Sequence, residues 1–149
     1  MTKNQRKQGF TLVEVLIVVV IMAVLAATII PQFTVSTMDA KISTAEFNLN
    51  SLRQQIEMYR MQHDGAVPGA TLAELSASTN AAGTIGTGAG FPFGPYLRSI
   101  PANPVTANDA IKVITNDPAE SGDVTTNGGW LYNTTTGGIW IDHADHFDK

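Results

Sequence analysis

Residues 10–30 constrain this chain more than any other feature. The segment is apolar except for Thr11, Glu14 and Thr28. About 21 residues of helix rise roughly 30 Å, the thickness of a bilayer's hydrocarbon core. Lys3, Arg6 and Lys7 precede it, and no acid occurs before it. Basic residues beside a span stay cytoplasmic, so everything after Ile30 is expected on the far side of the membrane. Two kinds of chain fit this pattern. One is a secreted domain whose signal peptide has residues 12–22 as its apolar region and is cut near Ala26 or Ala27. The other keeps the segment as a membrane helix.

Glu14 weighs against the signal peptide. An unpaired charge at bilayer depth costs on the order of 3 kcal/mol or more, so it calls for a partner. No Lys, Arg or His lies within four residues of it. The partner is therefore expected from another chain or from a newly made positive group.

Gly9, Phe10, Thr11, Leu12, Val13, Glu14, Val15, Leu16, Ile17, Val18 and Val19, after a short basic leader, resemble the N-terminal signature of the type IV pilin and type II secretion pseudopilin superfamily. In that family a prepilin peptidase cuts after the glycine and methylates the new N-terminal phenylalanine. The resemblance implies cleavage between Gly9 and Phe10, N-methylation of Phe10, and pairing of the freed Phe10 amine with Glu14 of a neighbouring subunit. A glycine at the cut suits close approach to a protease, because it has no side chain.

Pro31 follows the apolar segment, and proline inside a helix removes a hydrogen bond. The family carries a proline at this offset and its helix continues past it. The sequence beyond supports continuation. Val35, Met38, Ile42, Ala45, Leu49, Leu52, Ile56 and Tyr59 step by 3 and 4 in alternation, while Asp39, Lys41, Glu46, Arg53 and Glu57 stand off that stripe. This is one apolar face at helical spacing, suited to packing on a sheet or to a coiled coil. The first is expected for a small domain. His63, Asp64 and Gly65, then Pro68, give the stop signal.

From Gly65 the composition shifts to Gly, Ala, Thr, Ser and Asn. Thr71 is placed to cap a short helix through Leu75, and residues 76–94 read as a long loop. Pro95, Pro101 and Pro104 suit an ordered turn around Tyr96 and Leu97. That block resembles the stretch preceding the sheet in major pseudopilins of the G type. Residues 112–115 form a short strand candidate. Residues 129–133 and 138–142 read as a β-hairpin around 134–137. The fold class expected is α+β, pilin-like: a long N-terminal helix, half membrane and half amphipathic, packed on a small antiparallel C-terminal sheet. The segments are a leader at 1–9, a membrane and polymerisation helix at 10–30, its amphipathic continuation at 31–62, and a small α+β domain at 63–149.

The chain has no cysteine, which excludes disulfides, a thiol nucleophile and Cys-ligated metal. Nine Lys+Arg against thirteen Asp+Glu leave a net charge of −4, a poor match for nucleic acid. No nucleophile–base spacing or phosphate-binding loop is present, since the glycine-rich stretch 82–90 lacks the Lys-Ser/Thr of a P-loop. The chain does not read as an enzyme. The loop 116–123 carries Asp117, Glu120 and Asp123 among oxygen donors. The resemblance implies a calcium ion in the sheet's loop, although the family's acidic loop does not align residue by residue here; among the loop's own residues Asp117 and Asp123 are the candidate ligands. An ordinary solvated turn carries the same residues. Asp142, His143, Asp145, His146 and Asp148 look like a chelator, although a polar terminal run is ordinarily frayed and solvated. Asn133, Thr134 and Thr135 fit a glycosylation sequon inside the hairpin turn.

The resemblance implies a structural subunit of a type II secretion pseudopilus. It would sit in the bacterial inner membrane as a single pass, with its N-terminus cytoplasmic and its domain periplasmic, and assemble into a helical homo-oligomer. Its partners would be prepilin peptidase, membrane lipid, an inner-membrane assembly platform and minor pseudopilins. The alternative within the superfamily is a type IV pilin of a surface filament for adhesion, motility or DNA uptake.

Overall fold

The computed structural model describes residues 9–125 and 127–148. The leader cations Lys3, Arg6 and Lys7 lie outside these residues, as do the side chains of 30–35. Helix α1 spans Leu12–Gln62; strands β1 (Ile111–Ile114), β2 (Trp130–Asn133) and β3 (Ile139–Ile141) follow, with 3-10 turns at Ala73–Ser76 and Ser121–Asp123. The chain forms two compact units, one ending at Asp39 and one beginning at Ala40.

In the first unit, Leu12–Ile29 is long and apolar enough to cross a membrane, and none of it is buried. Thr28, a polar interruption, is satisfied within the helix: its Oγ1 donates to Leu25 O at 2.9 Å. A hydroxyl bonded to its own helix is tolerated in lipid, where no water can serve it.

The second unit shows why the apolar stripe exists. Ala45, Leu49, Leu52, Ile56 and Tyr59 are buried against Trp130, Tyr132, Ile139 and Ile141, with Leu72 and Leu75 closing the cluster. The stripe therefore packs on the sheet. Its upstream member Met38, in the first unit, is exposed. Arg53 Nη2 donates to Ile139 O at 3.1 Å, adding a polar tie to the same contact. Buried leucine and isoleucine side chains contribute roughly 1.5–3 kcal/mol each, so this face dominates the unit's stability.

The β2–β3 pair is an antiparallel hairpin, with Trp130 opposite Ile141, Leu131 opposite Trp140 and Tyr132 opposite Ile139. Side chains alternate between faces with period two. Trp130, Tyr132, Ile139 and Ile141 face the helix stretch. Leu131 and Trp140 pack on the far face with Ile114, Ala119, Val124 and Phe147. Asn133 shapes the turn, its Oδ1 accepting from Thr135 N at 2.8 Å and Thr136 N at 3.1 Å.

The expectation of an antiparallel sheet needs correction. Strand β1 runs parallel to β2, with Ile111 beside Trp130 and Ile114 beside Asn133, so the sheet is mixed. Parallel neighbours need a long crossover, and segment 115–129 provides it. Ala119 and Val124 of that segment pack in the far-face cluster, which brings the chain back across the sheet to start β2 at the same end as β1.

One loop expectation also changes. Thr71 does not cap the short helix. Leu72 holds the N-cap position at φ 55°, with no side-chain cap, because its side chain is fully buried in the core. The loop 77–94 is pinned: Thr79 N donates to Phe93 O at 2.8 Å and Phe93 N to Thr79 O at 3.1 Å. The proline-rich block ties the helix end to the sheet. Tyr96 N and Leu97 N both donate to Leu75 O, and Trp130 Nε1 donates to Pro101 O at 2.8 Å. Buried Asn103 donates from Nδ2 to Gly129 O at 3.1 Å.

Candidate functional site

The start of α1 is built around Thr11 and Glu14. The first turn of a helix has backbone N–H groups without helical partners. Here Thr11 N donates to Glu14 Oε2 at 2.7 Å, Thr11 Oγ1 donates to the same oxygen at 2.9 Å, and Glu14 N donates to Thr11 Oγ1 at 3.2 Å. This is a reciprocal capping box. The partners of Glu14 within its own chain are two neutral donors. They hold the carboxylate without neutralising it, and among the described residues no cation is paired with Glu14. The spacing Thr-x-x-Glu before an apolar run would have revealed the box.

Gly9 and Phe10 precede the helix. Nothing lies within 4 Å of the space a side chain would take at Gly9, and Phe10 is 89% exposed. Among the described residues nothing crowds Gly9, and Phe10 is uncovered.

The loop proposed to hold calcium is arranged differently from a calcium site. Asp117 lines an open cleft with Arg53, Glu57 and residues 136–140. Asp123 instead closes the 3-10 turn: its Oδ2 accepts from Asn116 Nδ2 at 2.9 Å and from Glu120 N at 2.9 Å. The backbone donor of Glu120, and then the Asn116 amide, hold the Asp123 carboxyl below the usual carboxylate range. Lys112 Nζ donates to Asp123 O. Calcium requires six to eight oxygens turned toward one point. Here Asp123 O and Oδ2 are met by an ammonium and N–H groups, and Asp117 lines the cleft with Arg53 and Glu57, so the two candidate ligands do not fit that ion.

Among the described residues no group of three or more His, Asp or Glu is placed to hold a metal. The terminal chelator-like run is divided by the fold. Asp142 is buried and accepts from Thr125 N at 2.6 Å and from Thr125 Oγ1, while His143 and His146 stack on each other at 5.0 Å. Phe147 packs on the far face of the sheet, so this run is tied down rather than frayed. Asn133 of the sequon is also buried, its Nδ2 donating to Thr115 O and Asn116 O at 3.1 Å. His63 is a core residue. Its Nδ1 lies 2.8 Å from Tyr59 O and its Nε2 lies 2.9 Å from Thr79 Oγ1, with its ring stacked on Tyr59.

Residues 4–30 match the prokaryotic N-terminal methylation motif. The chain is 36% identical over 61 residues to type II secretion system core protein G of Pseudomonas aeruginosa, covering 41% of this chain and 43% of that protein. It is 30% identical over 100 residues to core protein G of Klebsiella pneumoniae, covering 67% and 70%. With core protein G of Escherichia coli it shares 26% identity over 132 residues, covering 82% and 80%. No solved structure matches. The methylation motif lies over the capped apolar helix, and the likeness to the Klebsiella and Escherichia proteins extends well beyond it: the chain belongs to the family of type II secretion system core protein G.

Proposed function

We propose that this chain is the repeating subunit of a type II secretion pseudopilus. It is held in the bacterial inner membrane by its apolar helix and then polymerised into a filament that drives folded proteins out of the cell. The observation that carries this reading is the placement of Glu14. A carboxylate stands at the start of an exposed, membrane-length helix in a chain that resembles core protein G over two thirds of its length.

In this reading prepilin peptidase cuts between Gly9 and Phe10 and methylates the new amine of Phe10. The resulting cation meets Glu14 of a neighbouring subunit, where Thr11 has already oriented the carboxylate. The open backbone at Gly9 and the uncovered Phe10 support both steps. Heterologous head-to-tail contacts of this kind generate open helical assemblies rather than closed rings. The N-terminus is cytoplasmic and the sheet-bearing unit periplasmic, following the basic leader. An inner-membrane assembly platform and minor pseudopilins are the further partners.

Two measurements test the proposal. Intact mass of the mature protein should show loss of residues 1–9 and gain of one methyl group; a start near Thr28 would mean a secreted domain instead. Deleting the gene should remove folded exoproteins from the medium and trap them in the periplasm. An unchanged medium would overturn the secretion role and point to a surface filament.

A further inference from the structure

The connection between β1 and β2 is held by a cation from β1. The register of β1 sets Lys112 beside Leu131, a far-face residue, and thus on the side covered by segment 115–124. From there its ammonium reaches Asp123 O at the end of the 3-10 turn. The rest of the loop closes around the same point. Asn116 Nδ2 and Glu120 N both donate to Asp123 Oδ2, and Asp123 N donates back to Glu120 O at 2.9 Å. Asn133 Nδ2, from the end of β2, takes Thr115 O and Asn116 O. Four backbone carbonyls and one carboxylate oxygen of this loop, the kinds of oxygen calcium binds, are thus already engaged by nitrogen donors.

A carbonyl keeps a second lone pair, so hydrogen bonding alone does not bar a metal ion. The ammonium does. A divalent cation using Asp123 O would stand within a few ångströms of the Lys112 charge, and the two carboxylates of this turn, Asp123 and Glu120, are already committed as acceptors in its capping box. The other predicted ligand, Asp117, belongs to the cleft lined by Arg53 and Glu57.

We infer that the Lys112 ammonium takes in this chain the place that the family resemblance assigns to calcium, so that the β1–β2 connection folds and holds without a metal ion. The arrangement suits a loop that must stay closed over the far-face cluster, because Ala119 and Val124 lie in the same segment.

The test uses the full chain in detergent micelles, followed by near-ultraviolet circular dichroism of Trp130 and Trp140. Thermal unfolding is recorded with calcium chloride and again with a chelator. The expected result is one Tm for the wild type in both, because an ion bound only to the native state would have raised it. A wild-type Tm that rises with calcium or falls with chelator overturns the inference. Lys112→Met keeps most of the apolar stem and removes the charge. It should lower Tm by about 3–6 °C, with and without calcium. A Lys112→Met protein as stable as the wild type would also overturn it. If that variant fails to fold, the wild-type comparison still decides.

Discussion

Glu14 and Thr11 hold each other at the first turn of α1: two donors of Thr11 converge on Glu14 Oε2, at 2.7 and 2.9 Å. Glu14 therefore has an intramolecular partner before any neighbour arrives, and assembly adds a charge partner to a carboxylate already in position. Glu14→Leu removes the buried-charge penalty and should leave membrane insertion intact or improved. Filament yield should nevertheless collapse in a sheared-fraction assay. Thr11→Val keeps the backbone donor and loses the hydroxyl, a cap substitution of about 1 kcal/mol. Its filament yield should fall between wild type and Glu14→Leu. Wild-type yield from Glu14→Leu would refute the pairing.

Tyr132 predicts the alkaline limit of the folded unit. Its hydroxyl is buried and donates to Pro68 O at 2.8 Å. Burial, and then the Glu74 charge, raise its pKa well above the ordinary value. A group with a raised folded pKa stabilises the native state fully below its unfolded pKa, about 10. That stability is lost as pH climbs beyond it, because only the unfolded chain ionises readily. Denaturant unfolding between pH 8 and about 11 should show stability falling from near pH 10. Tyr132→Phe should start about 1 kcal/mol lower, from the lost hydrogen bond, and decline less steeply.

These two sites differ in how far the residues themselves disclose them. The helix was legible to its last turn, because the stripe from Ala45 to Tyr59 and the stop at Asp64 and Gly65 are local patterns. The hairpin was legible for the same reason. The direction of β1 was not, since it depends on how segment 115–129 crosses the sheet, and no local periodicity encodes a crossover. Leu72 at φ 55° likewise reflects burial overriding a capping preference at Thr71. Asp142 reads as part of a polar tail, yet it is buried on Thr125, a contact across 17 positions that no spacing rule anticipates. The Thr11–Glu14 box, by contrast, is a local pattern, Thr-x-x-Glu before an apolar run.

His63 should behave as a structural clasp. It joins the end of α1 to Thr79, whose backbone pairs with Phe93, so one imidazole closes the long loop onto the helix. His63→Ala loses both ring contacts and the stack on Tyr59. A loss of about 2–3 kcal/mol is expected from chemical denaturation. Thr79→Val should cost about 1 kcal/mol. Because the two side chains share one hydrogen bond, the double variant should lose less than the sum of the two.

Phe47 tests the filament reading on the folded unit. It is 73% exposed, and Met58 and Met61 are exposed on the same helix. Phe47, Met58 and Met61 follow Ala45 by two, thirteen and sixteen residues, steps that carry a helix to the side away from its buried stripe. These three side chains therefore lie opposite the face packed on the sheet. Placing a charge there alters nothing in the core, so Phe47→Asp should shift stability by no more than about 0.5 kcal/mol. Subunits that pack helix against helix would have to desolvate that carboxylate without a partner. Filament yield should therefore drop several-fold while the Tm of the detergent-held subunit stays put. Equal loss of both would mean that Phe47 serves the fold, and unchanged yield would remove this face from the subunit contact.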